Sequence, residues 1–472
     1  MASINSAFSI IEGALNADQA ALSIVSNNVA NANTTGYTQE IPQWQTADTV
    51  QIGNTTYGDG VVMEGPASQR NPVLENSLDQ QTQDESDTAA RLTALDQLQS
   101  IFSSSVSTSS SSTSSTSGIS QDLSSFFSAW TALSADPSGS SQRQSVIAAA
   151  QNLASDFNSA SSQLSSLESS VNQQTQGMTT QINALTTQIA QLNAQIGSQS
   201  PNGDAGTLED ERETAVAKLS SLVGVTQIKT NNNGLMLTTT SGALLVSGNE
   251  SFALTSGQVD GVTHFFDSQG NDITAGLTGA GGQLGGLLSV RDQDVPQVES
   301  ALDTMAYQLG TAVNEQNEAG SDANGDAGTA IFNLSSSSTG AAATISVAIT
   351  DPSKIAAAAS GDGSQNGSNA SAIAALANQN VVSGTTPSGY FSSFVSSIGT
   401  LVSNVQDSNS VQQAAVTQLQ NQIGGISGVN LNTEAASLET LEQSYEAASK
   451  AFTVMTNVMT AALNLGVDTS FS

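Results

Sequence analysis

Two hydrophobic stripes with helical spacing lie at opposite ends of the chain. Near the N-terminus the apolar positions follow at steps of three and four, with one position skipped near Asp18. They are Ile4, Phe8, Ile11, Leu15, Leu22, Val25 and Val29. The second stripe runs unbroken near the C-terminus, through Leu438, Leu441, Tyr445, Ala448, Phe452, Met455, Met459 and Ala462. This spacing is typical of a heptad seam on an amphipathic helix.

Each stripe needs a partner, because a helix with one apolar face cannot bury that face alone. One interpretation is that both are ordinary helices packed on a core. We favour a second interpretation, in which the two ends pair as a coiled coil over residues 1–36 and 427–472. The faces left over would then pack against copies of the same pair. Asn432 is the predicted N-cap of the C-terminal helix, with Glu434 in its first turn and Gly466 as its stop.

The middle of the chain predicts long helices interrupted by a small sheet. An apolar period of three, four or seven predicts one helix over about 142–196 and an antiparallel partner from 207 to 224. From 225 to 285, short β-prone runs alternate with Asn-Gly, Ser-Gly and Asp-Gly turns. Helical patterning then returns. The predicted fold is mainly α, with an inserted antiparallel β domain at 225–285 and a helical rod domain at 37–224 plus 286–426, extended near 37–70.

Shorter segments carry weaker signals. An amphipathic helix is predicted over 122–133, and helical patterns also occur at 352–359, 370–380 and 391–423. The Ser/Thr-rich run from 103 to 117 cannot bury a core and is predicted to be a flexible loop. The Gly-rich run GLTGAGGQLGGLL is not followed by the Lys of a phosphate-binding loop. We expect it to be a flexible return from the β domain.

The chain is acidic and contains few charges of either sign. Its 472 residues include 9 Lys and Arg against 41 Asp and Glu, for a formal net charge of −32. So few cations cannot neutralise a run of nucleic-acid phosphates, and the sign disfavours an anionic membrane surface. No stretch approaches the ~18 consecutive apolar residues of a transmembrane helix. We therefore expect neither nucleic acid nor a membrane as a partner.

The N-terminal stretch does not have the pattern of a cleaved secretory signal. It lacks a basic region, and Glu12 and Asp18 interrupt its apolar positions. If the protein leaves the cell, we expect another machine to export it. The absence of Cys excludes a fold held by disulfides.

Residues with catalytic chemistry are scarce. The one His, His264, lies in a predicted strand near Asp267, and no G-x-S-x-G nucleophile elbow accompanies it. A structural or surface histidine is the better interpretation. We predict no catalytic residues, no cofactor and no enzymatic activity.

One segment is similar to the start of a calcium-binding loop. Asp322, Asn324 and Asp326 occupy alternate positions, but Ala327 and Asn333 stand where such a loop needs Gly and a bidentate Glu. A turn stabilised by Asx hydrogen bonds is therefore the better interpretation. We predict no metal site there.

An Asn-rich segment follows the N-terminal stripe. Asn competes for backbone hydrogen bonds in a helix interior, so the helix is predicted to end and turn between 27 and 36. The motif SNNVAN, followed by TGY, resembles the signature of bacterial flagellar rod, hook and hook-associated proteins. Its matching residues are Asn27, Asn28, Asn31, Gly36 and Tyr37. The C-terminal segment 427–466 resembles the other signature of this axial family, and segments at 122–147, 208–225, 281–295 and 319–332 resemble its hook-associated members.

The resemblance implies an extracellular structural subunit, exported by the flagellar type III apparatus without a cleaved signal peptide. It would form the junction between hook and filament and polymerise through its terminal helices. The implied partners are further copies of itself in a ring, the hook protein, a second junction protein (hook-associated protein 3) and an export chaperone on the C-terminal helix.

A secreted coiled-coil adhesin, or another surface filament protein, is the alternative. It would share the acidity, the Ser/Thr richness and the heptads. It would not need matched helices at both ends or the Asn-rich turn. A deletion strain whose hooks still carry filaments would favour this alternative.

Overall fold

The two ends of the chain come together in the computed structural model, which describes residues 2–52, 55–103, 118–200 and 204–465. Helix α1 (Ala2–Asn31) packs along helix α12 (Leu431–Leu465). The rings of Phe8 and Phe452 meet edge to face across this pair, with centroids 5.4 Å apart. The predicted pairing of the terminal helices is therefore confirmed.

A β-hairpin covers a second side of α1. Strands β1 (Glu40–Thr46) and β4 (Val61–Ser68) are antiparallel, and β2 (Val50–Ile52) pairs with β3 (Thr55–Tyr57) beyond them. The hairpin lies close to the helix, because a Cβ on Gly13 would be only 3.1 Å from the Val61 carbonyl oxygen. Ser9 Oγ also donates a hydrogen bond to Asp59, at 3.1 Å. Helix α1 is thus packed on two sides, whereas α12 packs mainly on α1.

Long helices form the body of the molecule. They are α2 (Pro72–Ser103), α3 (Ile119–Ala135), α4 (Ser140–Gln199), α5 (Thr207–Leu222), α8 (Val295–Glu318) and α11 (Pro387–Ser427). Helix α4 spans 60 residues, or about 90 Å at ~1.5 Å per residue. Its large apolar side chains from Val146 to Ile196 are buried, apart from the half-buried Leu185. The structure contains the predicted antiparallel hairpin, formed by α4 and α5. The amphipathic helices predicted at 122–133 and 391–423 are also present, as α3 and α11.

Helix α2 is an element that the sequence patterning missed. It packs against α11 and α5, yet its first half carries no hydrophobic stripe. Instead Asp79, Gln83 and Ser86 are buried there. Gln83 bonds to both backbone groups of Val225, donating to its carbonyl oxygen at 3.0 Å and accepting from its amide at 3.1 Å. This side of α2 is therefore held by polar contacts, which a search for apolar periodicity does not detect.

The predicted β insertion is confirmed as a small antiparallel region. Strands β5 (Val225–Lys229), β6 (Leu235–Thr239), β7 (Leu244–Ser247) and β8 (Glu250–Ser251) form one sheet in that order. Strands β9 (Thr255–Val259) and β10 (Val262–Phe266) form a separate pair. Asp260 and Gly261 join them with positive φ values of 51° and 86°, as the two-residue turn of a tight hairpin requires.

The Gly-rich run is helical rather than a flexible return, so that prediction is wrong. It contributes to α6 (Thr274–Leu277) and α7 (Gly282–Ser289), and a π-helical turn over Val290–Asp294 leads into α8. Gly285 and Gly286 are buried against α2, where a Cβ on Gly286 would overlap the carbonyl oxygen of Asp87. The glycines are thus needed for close packing. The Ser/Thr-rich residues 104–117 lie outside the described residues.

Short elements follow α8. Strand β11 (Gly320–Ser321) pairs with β14 (Ala358–Ala359), and β12 (Phe332–Asn333) pairs with β13 (Ser346–Val347), next to α9 (Ala341–Thr344). The region also contains α10 (Ser368–Ala375), as the pattern at 370–380 predicts.

The predicted helix at 352–359 is wrong, because only a 3-10 turn forms, over Pro352–Lys354. The Asn317 side chain accepts from the Ala356 amide at 3.0 Å, and the Asn369 side chain donates to the Ala356 carbonyl at 2.7 Å. These bonds take the backbone groups that a helix would use.

Candidate assembly interface

Asn28 lies at the centre of the junction where α1, β1 and α12 meet. Its side chain is buried, and its Nδ2 donates to the Glu40 carbonyl at 2.8 Å and to Glu434 Oε2 at 3.2 Å. Its Oδ1 accepts from the Glu40 amide at 3.0 Å and from the Tyr37 hydroxyl at 2.8 Å. A buried amide with every hydrogen-bonding position filled gives the end of α1 one defined orientation.

Glu434 extends this network to α11. Its second oxygen, Oε1, accepts from Gln39 Nε2 at 2.5 Å. The backbone amide of Gln39 donates to the backbone carbonyl of Ser427 at 2.8 Å. Ser427 Oγ donates to the backbone carbonyl of Gln69 at 2.6 Å. The start of α12 is therefore tied to the end of α11 and to the residues that flank β1 and β4.

Asn430, rather than the predicted Asn432, caps α12. Its Oδ1 accepts from the backbone amide of Asn432 at 3.0 Å and from that of Thr433 at 3.4 Å. Glu434 lies in the first turn as predicted. Helix α12 is described to Leu465, and the predicted stop at Gly466 lies outside the described residues.

The remaining motif residues build the turn after α1. Asn31 Nδ2 donates to the carbonyl of Asn27 at 3.1 Å and to its Oδ1 at 2.8 Å. The Asn31 carbonyl accepts from the Thr34 amide at 2.8 Å. Gly36 has a φ of 83°, a conformation that glycine adopts without strain. The predicted end of the helix between 27 and 36 is confirmed.

Acidic groups surround Tyr37 beside this turn. Burial raises the pKa of Tyr37 well above its usual range, and the nearby carboxylates of Glu40, Asp210 and Glu434 raise it further. The hydroxyl therefore remains protonated and continues to donate to Asn28. The Thr38 amide donates to Asp210 at 3.0 Å, and Asp210 also pairs with Arg70. These contacts anchor the turn to α5.

The predicted seam of α1 is only partly the buried face. Val25 is buried, Phe8, Ile11, Leu15 and Leu22 are half-buried, and Val29 is 42% exposed. The side chain of Ile4 lies outside the described residues. Ala17, Ala21 and Ile24 complete the buried face, and the search for large apolar residues missed them. Ala17 and Ala21, one helical turn apart, could have indicated this face, because small residues let the hairpin and α12 pack closely against α1.

The predicted seam of α12 is less covered than that of α1. Leu438, Leu441 and Met455 are half-buried, but Tyr445, Phe452 and Met459 are about 40% exposed. Values near 40% are high for large apolar side chains in a folded domain. One neighbouring helix therefore covers only part of this seam.

A second stripe on α12 was missed by the sequence analysis. Ala447, Ala451, Val454, Val458 and Ala461 follow one another at steps of four and three, and all are exposed. Val454 and Val458 are 60% and 49% exposed. A search for the same steps of three and four on the side of the helix next to the predicted seam would have identified these residues. Helix α12 is thus apolar on two sides in its last part, which is typical of a helix surrounded by others.

His264 and Asp267, considered above as catalytic candidates, make structural contacts. His264 Nδ1 is 2.6 Å from Asp272 Oδ2 rather than beside Asp267, which instead accepts hydrogen bonds within its own turn. Among the described residues, no cluster of three His, Cys, Asp or Glu side chains could hold a metal ion. Within the same part of the chain, no helix is long and apolar enough to cross a membrane.

The segment that is similar to the start of a calcium-binding loop forms an Asx turn, as predicted. Asp322 Oδ1 accepts from the amides of Asn324 at 2.8 Å and Asp326 at 3.0 Å. Lys354 Nζ lies 3.1 Å from Asp322 Oδ2 and 3.2 Å from Asp326 Oδ2. Although burial alone would raise the pKa of Asp322, these partners bring it below its usual range. A lysine ammonium thus provides the positive charge for this turn.

Known proteins match this chain along most of its length. Residues 104–332 match the family model of the helical domain of the flagellar hook-associated protein FlgK, and residues 10–38 match that of flagellar basal body rod proteins. Flagellar hook-associated protein 1 of Escherichia coli K12 is 26% identical, over 96% of this chain and 98% of that protein. The Bacillus subtilis 168 protein of the same name is 25% identical, over 96% of each chain.

A solved structure has the same fold. It is that of the flagellar hook junction protein FlgK from Burkholderia pseudomallei, with a TM-score of 0.66 and 21% identity. The match covers 75% of this chain and all of the other. The similarities extend through both terminal helices and the helical middle. They confirm the resemblance indicated by the terminal motifs, and the chain is similar to flagellar hook-associated protein 1 over nearly its full length.

Proposed function

We propose that this protein is a structural subunit of the junction between the flagellar hook and filament, and that it polymerises through α1 and α12. The observation that carries the proposal is the uncovered apolar surface of α12. Phe452, Val454 and Val458 are 39%, 60% and 49% exposed, although α12 packs along α1. Apolar surface of this extent on a soluble chain marks an interface.

The junction around Asn28 supports the same role. It sets the direction of the helix pair relative to the helical body through hydrogen bonds that are mostly buried. A subunit that is assembled through its terminal pair needs such a rigid base, because each copy must present the same surface to its neighbours.

The proposed partners are further copies of the chain, the hook protein on one side and hook-associated protein 3 on the other. We place the subunit outside the cell, exported without a cleaved signal peptide, and assign it a structural rather than an enzymatic role. We also propose that an export chaperone binds α12 before assembly, which would shield its apolar stripes. Deletion of 427–472 should then abolish chaperone binding; unchanged binding would refute this part of the proposal.

Paired substitutions test the role of α12. The double variant Val454→Asp/Val458→Asp places charges on exposed positions, so the isolated chain should keep its fold, as circular dichroism can check. Cells with this variant as their sole copy should lose motility and shed filaments. Val411→Asp is the matched control, because Val411 is 67% exposed on α11, away from the terminal pair. Normal swimming with the double variant, or filaments on the hooks of a deletion strain, would contradict the proposal.

A further inference from the structure

An open groove lies at the base of the terminal helix pair. It has a volume of about 550 Å³ and lies between β1 and the first turns of α12. Ile41, Pro42 and Trp44 line one wall, Ala436 and Leu441 line the other, and Val25 of α1 lies between them. Trp44 is 44% exposed. The groove is thus an apolar surface that continues the α1–α12 seam to the base of the pair.

Two of the polar residues beside the groove already bind within the chain. Glu434 binds Asn28 and Gln39, and the backbone of Glu40 binds Asn28. The groove surface is mainly apolar, so a partner that enters it meets mostly apolar side chains. This favours an uncharged, apolar occupant, because burying an unpaired charge there would be unfavourable.

Charge is distributed unevenly along α12. Residues 431–450 contain Glu434, Glu439, Glu442, Glu446 and Lys450, whereas residues 451–465 contain no charged residue. The second stripe, from Ala447 to Ala461, lies largely in this uncharged part. The chain thus contains an apolar groove at one end of the pair and an uncharged apolar stripe towards the other.

The charges also oppose packing of two copies at the same level. Copies related by rotation about a common axis point the same way. Without an axial offset, Glu439 and Glu442 of neighbouring copies would lie at the same level, where like charges repel, whereas Glu446 is already paired with Lys450 at 2.7 Å. An offset that brings the uncharged part of one copy beside the acidic part of the next avoids this repulsion.

We infer that neighbouring copies pack with an axial offset, so that the second stripe of one copy docks in the basal groove of the next. This inference rests on the proposed function and names the surfaces that meet. The stripe is centred near residue 454 and the groove near residue 437. The roughly 17 residues between them correspond to an offset of about 26 Å at ~1.5 Å per residue. Trp44 is the expected anchor, packing over Val454 and Val458.

Cysteine cross-linking tests the offset directly, because the chain contains no Cys. Ala436→Cys lies in the groove and Val454→Cys lies on the stripe. Within one copy these positions are 18 residues apart on one helix, too far for a disulfide, whereas the inferred offset brings them to the same level in neighbouring copies. In isolated flagella, most of the double variant should run as disulfide-linked dimers and larger ladders under oxidising conditions. Each single variant should remain monomeric.

The outcomes separate this inference from the proposed function. If the wild-type chain is absent from isolated flagella, the proposed function fails and the inference fails with it. If the double variant enters flagella without cross-linking, only the docking inference is overturned. Dimers of Val454→Cys alone would place the stripes at the same level and would also overturn it.

Tryptophan fluorescence gives a second measurement on the unmodified chain. Trp130 is fully buried and Trp44 is exposed, and the chain has no other tryptophan. Emission of the purified protein should shift to shorter wavelength on polymerisation, and Trp44→Phe should remove that shift. An emission maximum that does not move during polymerisation would overturn the inference.

Discussion

The side-chain amide of Asn28 donates a hydrogen bond to the carboxylate of Glu434 across 406 residues of sequence, at 3.2 Å. This bond joins the end of α1 to the first turn of α12. Its surroundings are buried, because Asn28 is 1% and Glu434 3% exposed. Two chain ends that meet in this way form one structural unit, whose orientation depends on the full set of bonds around Asn28.

The Asn28→Ala variant should loosen the base of the terminal pair. It leaves the backbone groups of Glu40 buried without partners, and we expect a loss of roughly 2–3 kcal/mol in local stability. Hydrogen exchange at the Glu40 amide, which bonds to Asn28 Oδ1, should become faster by a corresponding factor. Asn33→Ala, in the exposed part of the turn, is the control and should leave this amide protected.

Asn28→Asp should be worse than Asn28→Ala, because it brings a carboxylate against Glu434. Adding Glu434→Gln should recover part of the loss, since a glutamine amide can donate to the new carboxylate. Equal exchange rates in the single and double variants would show that the contact between residues 28 and 434 is not coupled.

The isolated chain should show a gradient of protection against hydrogen exchange. Amides of α4 are held in a deep core, whereas α12 packs mainly on α1 and is largely exposed in its last turns. We expect slow exchange over 146–196 and fast exchange over 451–465, with the latter slowing after assembly. Uniform protection of both segments in the monomer would contradict this expectation.

The elements with regular apolar periods could be predicted from sequence. The core stripes of α4, α8 and α12 repeat often enough for the pattern to exceed local noise. Helix α2 could not be predicted in the same way, because Asp79 and Gln83 are buried through bonds to residues more than a hundred positions away. Such contacts have no signature in the local sequence.

The sequence predicted the helices and the motif of the candidate interface, but not which side chains bind each other there. The Asn-rich turn was identified, yet nothing in SNNVAN indicates that Asn28 binds Glu434. The run at 276–288 shows a similar limit. Glycine suits both flexible loops and close helix packing, and only the position of Asp87 shows that packing applies here.

Acidification should stabilise the contact between α3 and α4. Burial, together with the nearby Asp122 carboxyl, raises the pKa of Asp156 to about 7. One buried oxygen of each side chain lacks a conventional donor, and a shared proton would satisfy both. The folded chain therefore holds a proton that the unfolded chain releases between about pH 4 and pH 7. Stability should fall as the pH rises through this window and level off above it.

The Asp156→Asn variant tests this dependence. It should be more stable than the wild type at pH 8 by about 1–2 kcal/mol, and similar to it at pH 4. The gain is smaller than the pKa shift alone suggests, because solvent screens the half-buried Asp156. Thermal unfolding across pH provides the measurement. Asp96→Asn, at an exposed site on α2, removes the same formal charge and should leave the pH dependence unchanged.

Two Gly→Ala substitutions should have opposite effects on stability. A Cβ at Gly286 overlaps the Asp87 carbonyl on α2, and backbone must move to relieve the overlap. We expect Gly286→Ala to destabilise the chain by about 1–3 kcal/mol or more. Gly177 lies within α4 with open space around it, so Gly177→Ala should stabilise by ~0.5–1 kcal/mol through helix propensity. Denaturant midpoints of the two variants provide the comparison. If Gly286→Ala unfolds at or above the wild-type midpoint, the close contact between α2 and α7 does not constrain this residue.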